Sequence, residues 1–489
     1  MPRVILRRCD DYDPDRIRAI IGESMDELGI KPQGRTLVKP NTVIAHRLFF
    51  PHAFTRPEFL DGLFGALKER GDEMTDLSLG ERCGITIPTR YAFAEAGYPK
   101  VMRKHHVRPR YFDEMPQVRR DLHMEGRLRD YIYIPEAIAE TEFLVSAPKF
   151  KAHPWTKVTF NLKLYIGIQD DEHRLIDHDH HLHSKIADLY EVIQPKICVM
   201  DAITAGAKTM LTPKPFPLGL IIVGDDAVST DVVCTHIAGL DPRDVDHIRI
   251  VAERGWGSLS LDDVSIEGDV TLEEAKGRAK GFELSLDKAD AQYNGKSNLK
   301  VYVGPPPDTY DYCWGGCPGA LTEAMGIIGQ MEDDVENSIK PIHLVYGAYR
   351  GDIDVGQGEK VLFIGDCARW CGKIGGKDVD IPFLYKERKL ISPERVHAGD
   401  LVGKILKFFF EQIFAVGKRV IRIRGCTVSV AEMVLNLSWL GKTKNPYFDP
   451  RIVFRFSWHY VLAKIGRFFG KLRSPSAIAL KKPPQQTPE

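Results

Sequence analysis

At 489 residues the chain exceeds what one hydrophobic core organises, so two domains and a tail are expected. Its 67 Lys plus Arg balance 67 Asp plus Glu, which excludes a uniformly basic nucleic-acid-binding surface, and 43% apolar with 27% charged residues is the make-up of a soluble globular protein. Nine cysteines, an odd number in a long chain, do not form a secreted disulfide framework; with no signal-peptide apolar run after Met1 and no spanning apolar stretch, a reducing cytoplasm is the expected location.

Residues 3–8 read as a strand, and Asp13 is placed to cap a helix with Ile17, Ile20, Ile21 and Met25 on one face. A second strand, 35–38, ends in Lys39-Pro40-Asn41. Residues 57–70 form a helix and 76–79 a strand, closed by Gly80-Glu81-Arg82-Cys83, where Cys83 lies on a turn at the ligand edge. Phe143 to Ser146 end another buried strand. Pro148 is expected to stop its pairing, so that Lys149, Lys151 and His153 leave the sheet at its carboxyl edge, where open α/β sheets bind ligands. Lys157 and Lys163 add positive charge, which suits a small anionic substrate such as a carboxylate or phosphate.

Five of the sixteen histidines, His173, His178, His180, His181 and His183, fall within eleven residues behind Asp170-Asp171-Glu172 and beside Asp177 and Asp179. Such a set suits metal ligation, or hydrogen bonding and proton transfer to an anion. A helix over 184–194 leads to the strand 197–200, which ends in Asp201. The strand 218–223 is closed by Gly224-Asp225-Asp226, and the helix 229–238, carrying Asp231, stops at Gly239-Leu240-Asp241-Pro242. Asp231 is expected to pair with a lysine of the basic string. From these positions His153, Lys151 and Asp201 are the candidate catalytic residues, and Lys39, Asn41, Glu81, Lys149, Lys163 and His183 the candidate substrate-binding residues.

The ordered series Val38-Lys39-Pro40-Asn41, Arg56-Pro57, Gly80-Glu81, Ala147-Pro148-Lys149-Phe150-Lys151-Ala152-His153, Asn161-Leu162-Lys163, Gly167, His183, Asp201 and Gly224 to Pro242 resembles the domain-of-unknown-function 362 family over about residues 1–258. The resemblance implies an α/β domain often found in iron–sulfur proteins of bacteria and archaea. Many relatives carry a ferredoxin-type insertion, but this chain has no Cys-x-x-Cys-x-x-Cys run, so any cluster must be held differently.

A charged linker over 259–300 separates the second domain, 301–398. There Cys313 and Cys317 flank a Gly-Gly turn, and Cys367 and Cys371 follow the apolar strand 361–364. Cys367 is expected on a strand-to-helix turn, where free amides stabilise a thiolate. Two Cys-x-x-x-Cys pairs about fifty residues apart can converge into one four-cysteine site. Its occupant would be a [4Fe–4S] cluster, favoured by the resemblance, or a zinc ion, or else the pairs act as redox dithiols. Cys9, Cys198, Cys234 and Cys426 sit in apolar contexts and read as core.

The tail, 399–482, carries two amphipathic basic stretches, with Phe408, Phe409, Phe410 and Phe414 in one and Phe454, Trp458, Val461, Leu462, Ile465 and Phe469 in the other. Eight Lys and Arg and no acid between Arg451 and Lys482 suit peripheral contact with an anionic membrane, or packing on the core or a partner. Residues 483–489 read as a disordered end. The expected whole is an α/β fold with a mostly parallel, helix-covered sheet, a second smaller α/β domain carrying the cysteine pairs and a helical C-terminal tail. Its expected function is that of an iron–sulfur oxidoreductase or redox component working with a redox partner protein. The rival is a non-catalytic, zinc-binding assembly protein docking on a membrane or partner complex.

Overall fold

The computed structural model describes residues 1–169, 171–175, 177–306, 311–384, 403, 406, 408–410 and 418–473. Asp170, most of the 401–416 stretch including Phe414, and the 483–489 end lie outside the described residues. Strands β1 (Arg3–Arg8), β2 (Gly34–Pro40), β3 (Met74–Glu81) and β4 (Arg108–Tyr111) come first, followed by a separate hairpin of β5 (Gln117–Asp121) and β6 (Tyr131–Pro135). Then come β7 (Phe143–Ala147), β8 (Lys149–His153), β9 (Lys157–Thr159), β10 (Ile197–Ala207), β11 (Lys214–Phe216), β12 (Leu220–Gly224) and β13 (Ser265–Gly268). Apart from the hairpin, these make one eleven-stranded sheet whose main path is β13-β1-β12-β10-β7-β2-β3-β4. Along that path only β12 runs against its neighbours. The unbroken apolar runs of β7 and β12 belong to strands covered on both faces, and both are buried throughout.

The helix Pro14–Leu28 is capped as its sequence requires: the Asp13 side chain accepts from the Asp15 amide, and Gly29 closes the far end in the left-handed conformation. With the helix Pro57–Arg70 it covers one side of the sheet. The close fit of the two depends on Gly62, where a β-carbon would lie 2.6 Å from Ile17 Cγ2.

The basic string differs from its expected course. Pro148 interrupts pairing for one residue only, because the chain restarts at once as β8 and pairs in parallel with the far half of β10, Lys149 opposite Asp201 and Lys151 opposite Gly206. Lys149, Lys151 and His153 therefore lie inside the sheet, fully buried, rather than in a crevice outside it. Similarly, part of the 259–300 segment completes the first sheet, since β13 pairs in parallel with β1.

The second sheet contains β14 (Leu299–Val303), β15 (Ile342–Ala348), β16 (Lys360–Ile374), β17 (Lys377–Ile381) and β18 (Val420–Ile423). Strands β14, β15, β16 and β18 are parallel, and β17 returns along β16. The helices Cys317–Gly329 and Val430–Gly441 cover one face, and their residues Leu321, Ala324, Ile328, Val434 and Leu437 join the same continuous core as the first sheet. Phe363 and Trp370 anchor a smaller core on the other face. Finally, the helix Pro450–Arg473 lies against the helix Thr89–Ala96, with Phe456 edge-on to Tyr91 at 5.2 Å between ring centres. No described helix is long and apolar enough to cross a membrane.

Candidate functional site

Three segments of the second half bring four thiols together. Cys313 sits on a turn, Cys317 opens the helix Cys317–Gly329, Cys367 lies within β16, and Cys426 follows β18. The last two meet because β16 and β18 are parallel neighbours with Ile364 opposite Ile423, so that each cysteine follows its paired residue by three positions. Burial first, and then the nearby thiols of Cys367, Cys317 and Cys426, hold Cys313 well above the ordinary cysteine range. Cys317 is raised by burial and by Cys367 and Cys426. Glycines make the approach possible. At Gly365, whose φ is +90°, a β-carbon would lie 3.4 Å from Cys317 Sγ and 3.6 Å from Cys367 Sγ, and at Gly316 it would lie 2.6 Å from Cys313 Sγ.

Three expectations about cysteines need correction. Cys367 is not on a strand-to-helix turn, because β16 continues past it to Ile374 and folds back as β17. Cys371 therefore lies roughly 13 Å further along an extended strand, exposed and opposite Asp380, away from the other three. Cys426, read as core, takes the fourth place. The signal for it was in the sequence: the apolar 361–364 run is followed by Gly-Asp-Cys, and the 420–423 strand by Arg-Gly-Cys. Cys83, by contrast, is fully buried, with its thiol pushed up by desolvation.

The histidine-rich segment wraps this cluster. The Val428 amide donates to Cys317 Sγ at 3.2 Å, and the His180 backbone hydrogen-bonds Cys313. Asp179 Oδ2 lies 3.7 Å from Cys426 Sγ, while its Oδ1 accepts from the His181 amide at 2.9 Å. Ligating atoms of Asp179, His180 and His181 lie within 4.8 Å of one another, the one trio of that kind among the described residues. The Thr427 hydroxyl donates to the His178 carbonyl, and His178 Nδ1 donates to Gly315 O at 3.1 Å, which leaves Nε2 as the acceptor of the ring. Burial lowers His178 to about 3, so the ring is neutral.

Next to the cluster lies a cavity of about 160 Å³ between the two halves. Val43, Phe50, Ile87, Val434, Ile452 and Phe456 make its walls apolar, and Lys163, Arg174, His178 and Trp155 supply the polar groups. Lys163 follows Asn161 on a short helix whose first amides are held by Asp231. Asp231 accepts from Asn161 N at 2.9 Å, Asn161 Nδ2 at 2.8 Å and Leu162 N at 2.9 Å, so it pairs with amides and not with a lysine. Among the described residues Lys163 Nζ has neither ion pair nor hydrogen bond. Burial, followed by the charges of Arg174, Lys151 and Lys39, pushes it well below the ordinary lysine range.

The other candidate residues form buried pairs around it. Lys39 Nζ meets Glu81 Oε1 at 2.6 Å, and Gly167 leaves room for them, since its β-carbon would lie 2.7 Å from that oxygen. Lys149 Nζ binds Asp201 Oδ2 at 2.9 Å and the Tyr12 hydroxyl at 2.8 Å; Asp201 also accepts from Tyr12 at 2.8 Å and from the Arg56 amide at 3.1 Å. Both oxygens of Asp201 are thus occupied, which suits a positioning role. Lys151 donates to Ala53 O at 2.7 Å and to Asn41 Oδ1 at 3.2 Å, and burial lowers it to about 7 despite the carboxylate of Glu323 nearby. His153 Nδ1 accepts from the Trp155 and Thr156 amides at 3.1 and 3.3 Å, so its hydrogen sits on Nε2, which is buried without a partner among the described residues. His183 lies apart from the pairs, stacked on His247 at 5.8 Å and 3.9 Å from Asp246. Tyr12, Arg174, His247 and Glu323 were not singled out in the sequence, because only long-range packing brings them here.

Residues 36–236 match the family model described as Domain of unknown function (DUF362). This segment is a DUF362 domain. The DUF362 domain supplies the basic string, Lys163 and the histidine-rich segment, whereas Cys313, Cys317, Cys367 and Cys426 all lie beyond it. Its matched extent is shorter at both ends than the expected 1–258. No curated protein matches the chain. Among solved structures it is similar to the lactate racemase apoprotein from Thermoanaerobacterium thermosaccharolyticum, at 10% identity and a TM-score of 0.32, over 70% of this chain and 68% of that one.

Proposed function

We propose that the protein binds an iron–sulfur cluster through Cys313, Cys317, Cys367 and Cys426 and acts as an oxidoreductase, or a redox component, on a small anion held in the adjoining cavity. The observation that carries this reading is the convergence of four thiols from three chain segments, with the Val428 amide already donating to sulfur. Amide donors to cysteine sulfur are what a cluster site uses to tune its charge.

When bound, a cluster would supply one-electron chemistry. The chain's own residues do the rest. Lys163 and Arg174 neutralise an anionic head in the cavity, and the apolar walls take a hydrocarbon body. Neutral His178 orients a hydroxyl or amino group of the ligand through Nε2 and also ties the cavity to the thiol turn through Gly315. The Lys39–Glu81 pair lies beside Arg174, and Lys149–Asp201 ties β8 to β10. Anaerobically purified protein tests the reading: about four irons and four sulfides per chain, with a broad visible band, support it, and zinc alone or no metal overturns it.

A further inference from the structure

The helix Pro450–Arg473 has two apolar sides. One is seated: Phe456 and Ala463 are buried, Ile452 and Phe456 line the cavity, Arg455 meets Glu95 at 3.0 Å, and Arg467 Nε donates to Asp113 O at 2.8 Å. Gly466 and Gly470 bring the helix so close that β-carbons there would collide with Glu114 Oε2 and with Glu114 O. The other side carries Phe454, Trp458, Val461, Ile465 and Phe468, spaced by alternate steps of four and three residues, so they form one stripe along the helix. That stripe is bare: Phe454 is 76% exposed, Trp458 63% and Phe468 61%. Isolated exposed apolar residues need no explanation, but a continuous aromatic stripe does.

The charge of the helix decides what covers the stripe. Arg451, Arg455, Lys464, Arg467, Lys471 and Arg473 lie on it, and it contains no acid. A second copy laid against the stripe would oppose cations to cations. We propose that this helix docks the protein on an anionic lipid surface, lying in the plane of the interface with Phe454, Trp458, Val461, Ile465 and Phe468 inserted among the acyl chains. A helix with bulky apolar residues on one side and Lys and Arg on its flanks binds in this way, by apolar burial together with attraction to acidic headgroups. The proposal does not depend on what the thiols hold.

The test uses the full chain and vesicles of phosphatidylcholine, alone or with added phosphatidylglycerol. Flotation with the acidic vesicles, weaker at high salt and slight with phosphatidylcholine alone, is the expected result. W458E/I465E, at two exposed positions, should reduce binding at least tenfold with an unchanged melting temperature, and K464Q/K471Q should weaken it by about tenfold or more. Absence of flotation at low salt overturns the proposal, as does binding that W458E/I465E leaves intact. A wild-type dimer in light scattering that W458E/I465E converts to monomer, without vesicle binding by either, would assign the stripe to a second copy.

Discussion

The Val428 amide nitrogen donates to Cys317 Sγ at 3.2 Å, across 111 residues of sequence. The next residues, Val428 to Val430, line the cavity, so one short segment touches both the sulfur cluster and the space where a ligand would sit.

If these thiols hold a cluster, replacing Cys313, Cys367 or Cys426 singly by Ala should remove most of the iron, sulfide and visible absorbance. Cys371→Ala should leave all three unchanged, because that side chain lies exposed on the β16–β17 hairpin. Iron retained in Cys426→Ala and lost in Cys371→Ala would reverse the assignment.

Lys163→Met should weaken binding of small carboxylates by about ten- to hundredfold, the range of a lost charge-assisted bond of about 1.5–3 kcal/mol. The pH dependence has a definite sign. Lys163 is held well below its ordinary range, and Lys151 near 7, by burial, and an anion favours the protonated forms of both. Binding should therefore take up protons and weaken as pH rises through about 7. Calorimetry in two buffers of different ionisation enthalpy measures that uptake; proton release would contradict it.

Asp201→Ala should destabilise the fold by about 3–5 kcal/mol, because it leaves Lys149 buried without its carboxylate. Lys149→Met combined with Asp201→Leu should recover much of the loss. Urea unfolding decides: an Asp201→Ala protein as stable as the parent would mean that the pair does not hold β8 to β10.

Gly470→Ala should loosen the C-terminal helix more than Gly466→Ala. At 470 the obstacle is a backbone carbonyl, while at 466 it is the end of a carboxylate that can shift. Limited proteolysis should cut within 450–473 sooner in Gly470→Ala; equal protection of the two variants would count against the seating described.

Much of the first sheet was legible because its strands announce themselves as apolar runs, such as Leu-Ile-Ile-Val before Gly224, and its helices by caps such as Asp13. The basic string was legible as extended but not as buried. Nothing local reveals that β10 continues beyond Asp201 to receive β8 as a further neighbour. The sequence favours Cys371 over Cys426 because a four-residue spacing suggests partnership when the segment is helical. In a strand the same spacing separates the side chains, and the register between β16 and β18 brings in a cysteine from 59 residues later. Lys163 is visible in the sequence as a charge, but that no described carboxylate pairs with it is a fact of three dimensions.

The position of Cys426 also sets a timetable. Residues 36–236 can leave the ribosome and begin to fold while Cys313, Cys317 and Cys367 are still arriving. The fourth sulfur is added only 59 residues after Cys367. A chain truncated before β18 would therefore lack one of the four sulfurs that the fold brings together.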